Sequence, residues 1–178
     1  MDERILSSET VFQGRLLRIE VLQVEQVPGK RSTREVVRHP GAVAVVARRP
    51  DGRFVFVRQF RAAAESVVLE IVAGTLEAGE APRDCAIREV AEESGYRVRE
   101  LRELGQIYTA PGYSSERLHL FFAVLDSDPG ALRPDDDENL QVVLLDENGF
   151  EDLVRRGAIN DAKTLAAWFL CKAERCWP

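Results

Sequence analysis

A chain of 178 residues that is 45% apolar and 30% charged is long enough for one domain with a substantial core. Its net charge of −6 argues against general nucleic-acid binding, which needs a basic face, and no apolar run approaches a membrane span. Three cysteines with no CxxC or zinc spacing, and an N-terminus (Met1-Asp2-Glu3-Arg4) without signal-peptide character, point to a reduced, cytoplasmic protein.

In chain order, Val11 to Val27 alternates as a strand, with Leu16, Ile19, Val21 and Val24 among its apolar members. Pro28-Gly29-Lys30 reads as a turn and Arg34 to Val37 as the returning strand. Gly41 to Ala47 is nearly all apolar, as in a strand covered on both faces. Pro50-Asp51-Gly52 is a hairpin turn into a strand over Phe54 to Phe60, and Val67 to Val72 is the next strand. Strands are then predicted over Glu103 to Tyr108, Leu118 to Leu125 and Gln141 to Leu145, the first two joined by the loop Ala110-Pro111-Gly112-Tyr113. Gly149 to Arg156 and Asp161 to Cys171 read as helices, and Leu165, Trp168 and Phe169 give the second an apolar face. The expected architecture is α/β: an α/β/α sandwich around a mixed sheet (residues 41–178), preceded by an antiparallel β-hairpin (residues 1–40).

The densest pattern lies between Gly74 and Tyr96. Pro82 and Asp84 suit a first helical turn, and Gly95 is the expected stop. At about 100° per residue, Glu89, Glu92 and Glu93 share one side of that helix, which leaves Ile87, Val90 and Ala91 to face a sheet. Close carboxylates repel by up to roughly 4 kcal/mol per pair at an effective dielectric of ~20, so something must offset them. A solvated acidic helix is the bland alternative. An all-oxygen donor set suits a hard divalent cation that keeps waters and takes substrate phosphates.

The full spacing, Gly74, five residues, Glu80, seven residues, Arg88-Glu89-Val90-Ala91-Glu92-Glu93-Ser94-Gly95-Tyr96, fills every position of G-x5-E-x7-R-E-U-x-E-E-x-G-U, where U is apolar or aromatic. The chain thus resembles the Nudix hydrolases, which cleave a nucleoside diphosphate linked to another group. Pro111, sixteen residues after Gly95 in Tyr108 to Glu116, is similar to the ADP-ribose pyrophosphatase subgroup, as are Arg58 to Arg61 and Arg34 to Gly41. The sequence departs from that subgroup at Val72, where relatives usually have proline before the alanine.

The resemblance implies hydrolysis of ADP-ribose to AMP and ribose 5-phosphate with Mg2+, or Mn2+ in its place, by a homodimer whose N-terminal hairpin packs across a two-fold. It implies Glu89 and Glu93 as metal ligands with the Ala73 carbonyl, Glu92 as a further ligand or water-orienting group, and a glutamate on a mobile loop as general base. That loop is Asp135 to Glu138, with Glu138 first, Asp136 next and Glu92 the alternative on the helix. Glu80 and Arg88 are expected to pair and fix the loop to the helix, with Gly74 allowing a close approach. Arg61 has the shape to grip a phosphate, Arg38 to touch phosphate across a dimer interface, Glu35 to accept from an adenine amino group and Glu116 to meet the terminal ribose. For each, an ordinary ion pair or surface charge is the competing reading. GDP-mannose, a dinucleoside polyphosphate, or nucleotide binding without turnover are the rival functions. No G-x-S-x-G elbow, Walker A loop or dinucleotide fingerprint is present. His39 and His119 form no triad, His119 reads as a core residue, and Trp168 and Trp177 read as packing groups.

Overall fold

The computed structural model describes residues 3–27, 29–130 and 139–177. It falls into two compact units, one of residues up to Gly41 with Tyr108–Arg117, the other of Ala42–Ile107 with the chain from Leu118 onward.

The smaller unit is an antiparallel sheet of β1 (Glu3–Gln13), β2 (Arg18–Gln26) and β3 (Lys30–Arg38), in that order. The expected hairpin is therefore joined by a third strand, and the single strand read over Val11 to Val27 is broken by a turn in which the Gly14 N–H donates to the Leu17 carbonyl at 2.8 Å. Two things hid β1. Its pairing with β2 shifts register between Ile5 and Ser7 and again between Thr10 and Phe12, which destroys the two-residue period, and every one of its residues is exposed. Gly29, with φ +93°, serves the β2–β3 turn. The loop carrying Pro111 is anchored to β3, where the Val37 N–H donates to the Tyr113 carbonyl and the Ser115 N–H to the Val37 carbonyl.

The larger unit is built on β4 (Ala42–Arg48), β5 (Phe54–Arg61), β6 (Ser66–Glu70), β7 (Val72–Thr75), β8 (Val98–Tyr108), β9 (Arg117–Leu125) and β10 (Leu140–Leu145). The sheet order is β10-β5-β4-β9-β8, with β6 paired to β5 and β7 to β4; β4 and β9 are parallel, while β4–β5, β4–β7, β5–β6 and β5–β10 are antiparallel. This is the mixed sheet expected, and β4 is buried on both faces. On one face Ala44, Val46, Phe54, Phe56, Leu120 and Phe122 pack against α2 (Glu147–Arg155) and α3 (Ala162–Ala173). Phe56 stacks on Phe150 at 4.6 Å, and Trp168 and Trp177 both meet the Phe54 ring edge-on. On the other face Val43, Val45, Val55, Val57 and Phe121 pack against Cys85, Ala86 and Val90 of α1 (Pro82–Ser94).

Two helix faces differ from expectation. In α3 the buried stripe is Thr164, Ala167, Trp168 and Cys171, and Phe169 is 70% exposed. The rotation is set at the N-terminus, where the Asp161 carboxylate accepts from the Thr164 N–H and the Thr164 Oγ1 accepts from the Ile71 N–H at 3.0 Å. In α1, Ile87 and Ala91 face outward, and the buried side carries Glu89 and Glu93 beside Cys85, Ala86 and Val90. His119, read as a core histidine, is half-buried on β9. Among the described residues no helix is long and apolar enough to cross a membrane.

Candidate active site

β7 lies against β4 with Ala73 opposite Ala44 and Gly74 opposite Val43, and this edge faces α1. The helix begins with Pro82 at its first position and ends where Gly95 takes φ +73° and donates its N–H to the Ala91 carbonyl. Between those ends, Glu89 and Glu93 sit one turn apart and both are buried. The Glu93 Oε2 accepts from the Ala73 N–H at 3.3 Å. The Glu89 carboxyl lies so close to Gly74 that a Cβ there would overlap it. Gly74 is thus required for space, since its φ is not in the positive range.

Arg88 supplies the counter-charge. Its Nε and one terminal nitrogen donate to the two oxygens of Glu80 at 2.9 and 3.0 Å, and the other terminal nitrogen donates to Glu89 at 2.8 Å and Glu92 at 2.9 Å. One guanidinium thereby ties the loop after Gly74 to the helix and offsets part of the repulsion among the acids. The Arg88 hydrogen bonds hold the Glu80 carboxyl down at about 2, and the same pairing raises Arg88. Burial pushes the Cys85 thiol up to about 12.

Among the described residues, no three acidic, histidine or cysteine side chains are grouped so as to hold a metal ion by themselves. The candidate ligands that are present, the two buried carboxylates of Glu89 and Glu93 with Glu92 nearby, are all oxygen. Such a partial set fits a hard cation that completes its shell with water and phosphate oxygens.

The remaining candidates lie on other elements. Arg61, at the end of β5, donates through Nε to the buried Glu70 at 2.7 Å, and Lys163 of α3 pairs with the same carboxylate. In the smaller unit Glu35 is exposed on β3, while Arg38 donates to the buried Glu20 at 2.8 Å. Pro111 is exposed, and Glu116 accepts from the Thr109 hydroxyl at 2.6 Å with His39 3.9 Å away. Asp136 and Glu138 lie outside the described residues. The Glu70 and Lys163 partners of Arg61 were not anticipated, although an acid closing the apolar run Ser66–Glu70 was the available signal.

Residues 38–169 match the NUDIX domain family model. The chain is 39% identical to the ADP-ribose pyrophosphatase of Bacillus subtilis (strain 168), over 94% of this chain and 91% of that one. It is 38% identical to the methanol dehydrogenase activator of Bacillus methanolicus, over 93% and 90%. A solved structure described as an ADP compounds hydrolase superposes with a TM-score of 0.85 at 28% identity, covering 99% of this chain and 95% of that one. With the box residues gathered on one helix and loop, and the match running through most of the chain, this protein belongs to the Nudix family of hydrolases.

Proposed function

We propose that the protein is a Mg2+-dependent pyrophosphatase that splits ADP-ribose into AMP and ribose 5-phosphate, with Mn2+ as an alternative cation. The observation that carries this reading is the pair of buried carboxylates, Glu89 and Glu93, set against a glycine edge that leaves no room for a side chain. The similarity to an ADP-ribose pyrophosphatase over nearly the whole chain supports the choice of substrate.

Glu89, Glu93 and the Ala73 carbonyl would hold the cation, with Glu92 as a further ligand or as the group that orients water. When bound, a divalent ion polarises phosphoryl oxygens and lowers the pKa of water. Arg88 and Glu80 keep the loop against α1, so the donors stay in place. Arg61 grips a substrate phosphate with the guanidinium edge not taken by Glu70. A carboxylate base, Glu138 first and Asp136 or Glu92 otherwise, accepts the proton of the attacking water as its oxygen bonds to phosphorus. The bridging P–O bond then breaks and the second phosphate departs with its electron pair.

Residues 41–178 form the hydrolase domain in this reading, and residues 1–40 pair with a second copy to make a homodimer. The exposed Ile5, Val11 and Phe12 along β1 support that surface role. Glu35 is assigned to the adenine amino group, Arg38 to a phosphate across the dimer interface, Glu116 to the terminal ribose, and Pro111 to the substrate-binding loop. Three free cysteines suit the cytoplasm.

The test is a substrate panel with Mg2+ containing ADP-ribose, GDP-mannose and diadenosine polyphosphates, read by product identification. ADP-ribose should give the highest kcat/KM, and Glu93→Gln should abolish turnover while leaving the circular dichroism spectrum unchanged. Preference for another compound would replace the substrate; tight binding without products would remove the enzymatic reading.

A further inference from the structure

β6 ends at Glu70, opposite Val57 of β5, and β7 begins at Val72, opposite Val45 of β4. The chain thus changes partner strands across Ile71, within about 7 Å of extended chain. Ile71 is buried, and an N–H group at such a crossing needs an acceptor from outside the ladder. Thr164 of α3 provides it, since the Ile71 N–H donates to its Oγ1 at 3.0 Å.

The orientation of that hydroxyl is fixed in turn. Asp161, which caps α3, accepts from the Thr164 N–H at 3.0 Å and from the Thr164 hydroxyl at 2.6 Å, both through Oδ2. With its proton committed to Asp161, Oγ1 meets Ile71 as an acceptor. One residue earlier on both segments, Lys163 pairs with Glu70 and donates to Asp161 at 3.1 Å. Adjacent cross-links therefore hold the strand crossing to the first turn of α3, and Thr164 is fully buried there. Two residues beyond the crossing, the Ala73 N–H donates to Glu93, and Gly74 lies against the Glu89 carboxyl. The Ala73–Gly74 segment takes its position from two helices: from α1 through Glu93, and from α3 through Thr164.

We propose that Thr164 is a positioning residue for the cation site: its hydroxyl fixes where the chain crosses from β5 to β4, and so where the Ala73 carbonyl stands relative to Glu89 and Glu93. The inference rests on the metal-binding role proposed for those three residues. Groups that hold ligands in place without touching the metal commonly account for about 10–100-fold in its affinity.

The experiment titrates Mn2+ into the nucleotide-free protein, with free Mn2+ read by electron paramagnetic resonance, and compares wild type with Thr164→Val, Thr164→Ser and Ala167→Gly. Thr164→Val keeps the shape, removes the hydroxyl and should weaken Mn2+ binding about 10-fold, equivalent to 1.4 kcal/mol. Thr164→Ser keeps the hydroxyl and should bind within about twofold of wild type. Ala167→Gly loosens the same buried face of α3 and should lower Tm with Mn2+ affinity unchanged. A wild-type affinity in Thr164→Val, a Thr164→Ser as weak as Thr164→Val, or an equal loss in Ala167→Gly would overturn the positioning role. A further measurement needs no variant to fold: in the wild type, Mg2+ should slow amide hydrogen exchange at Ile71 and Ala73 by the same factor, because the crossing and the metal edge open together. Slowing at Ala73 alone would overturn the proposal. Wild-type protein that binds no Mn2+ would instead overturn the cation site of the proposed function itself.

Discussion

Gly74→Ala isolates the close approach on which the site is built. Gly74 does not need a glycine's backbone freedom, so the variant keeps its local conformation and adds one methyl group aimed at the Glu89 carboxyl. The carboxyl must withdraw by more than about 1 Å to reach an ordinary separation of ~3.5 Å. Misplacing a group in a reacting site by about 1 Å costs about 100-fold, or about 2.7 kcal/mol of transition-state stabilisation. Added bulk in a packed region costs a further 1–3 kcal/mol of stability or so, which at roughly 2–4 °C per kcal/mol for a chain of this size leaves the protein folded at room temperature. The assay is kcat/KM for ADP-ribose at saturating Mg2+, with Tm measured in parallel. Gly79→Ala is the control. Gly79 has φ +80° and open space around it, so an alanine strains the backbone by about 1–2 kcal/mol without touching Glu89. Gly74→Ala should lose activity out of proportion to its stability, and Gly79→Ala should do the reverse. A Gly74→Ala enzyme within twofold of wild-type kcat/KM would refute the argument that Glu89 is positioned by the missing side chain.

Glu80 is held at about 2, against an ordinary 4.5, chiefly by hydrogen bonds from Arg88, so its pairing stabilises the fold above about pH 4.5 and is lost as the pH falls towards 2. The Tm difference between wild type and Glu80→Gln should accordingly be largest at neutral pH and close through that window; a constant difference would contradict it. Glu70→Ala leaves the Arg61 and Lys163 cations without their shared buried carboxylate and should cost about 3 kcal/mol in urea unfolding, whereas a variant as stable as wild type would show the pairing to be dispensable. Cys85 is fully buried with its thiol pushed up to about 12, so iodoacetamide at pH 8 should leave it unmodified in the native protein and alkylate all three cysteines after unfolding, as read by peptide mass spectrometry.

How legible each part was depended on whether its determinants were local. The ends of α1 follow from Pro82 and Gly95, and the strand pairs of the larger unit follow from short apolar runs between strong turns. The rotation of α1 does not. A rule that turns acids outward places Ile87 and Ala91 inside, yet here the acids are the buried side, because the Ala73 amide and Arg88 meet them there. The rotation of α3 was likewise set by a hydrogen bond from Ile71, 93 residues away in the chain. Glu70 and Lys163 are joined over the same separation, and nothing near either residue announces the other.

The same geometry explains how so much like charge can be gathered in one place. Glu80, Glu89 and Glu92 share one guanidinium, that of Arg88, and Glu93 lies one turn beyond Glu89, so these four acids against that one cation leave a formal charge of −3, half of the net charge of the chain. Arg88 cannot neutralise the cluster, but it takes hold of the three acids whose positions along the chain differ most in kind: one from the loop, two from the helix. Its five donors in a rigid fork fix the loop and helix relative to each other. Glu93, beyond that fork, turns to the buried edge, where its carboxylate accepts from the Ala73 N–H. A lysine at position 88 could supply the charge but not the fork, so the arrangement depends on the shape of the cation as well as its sign.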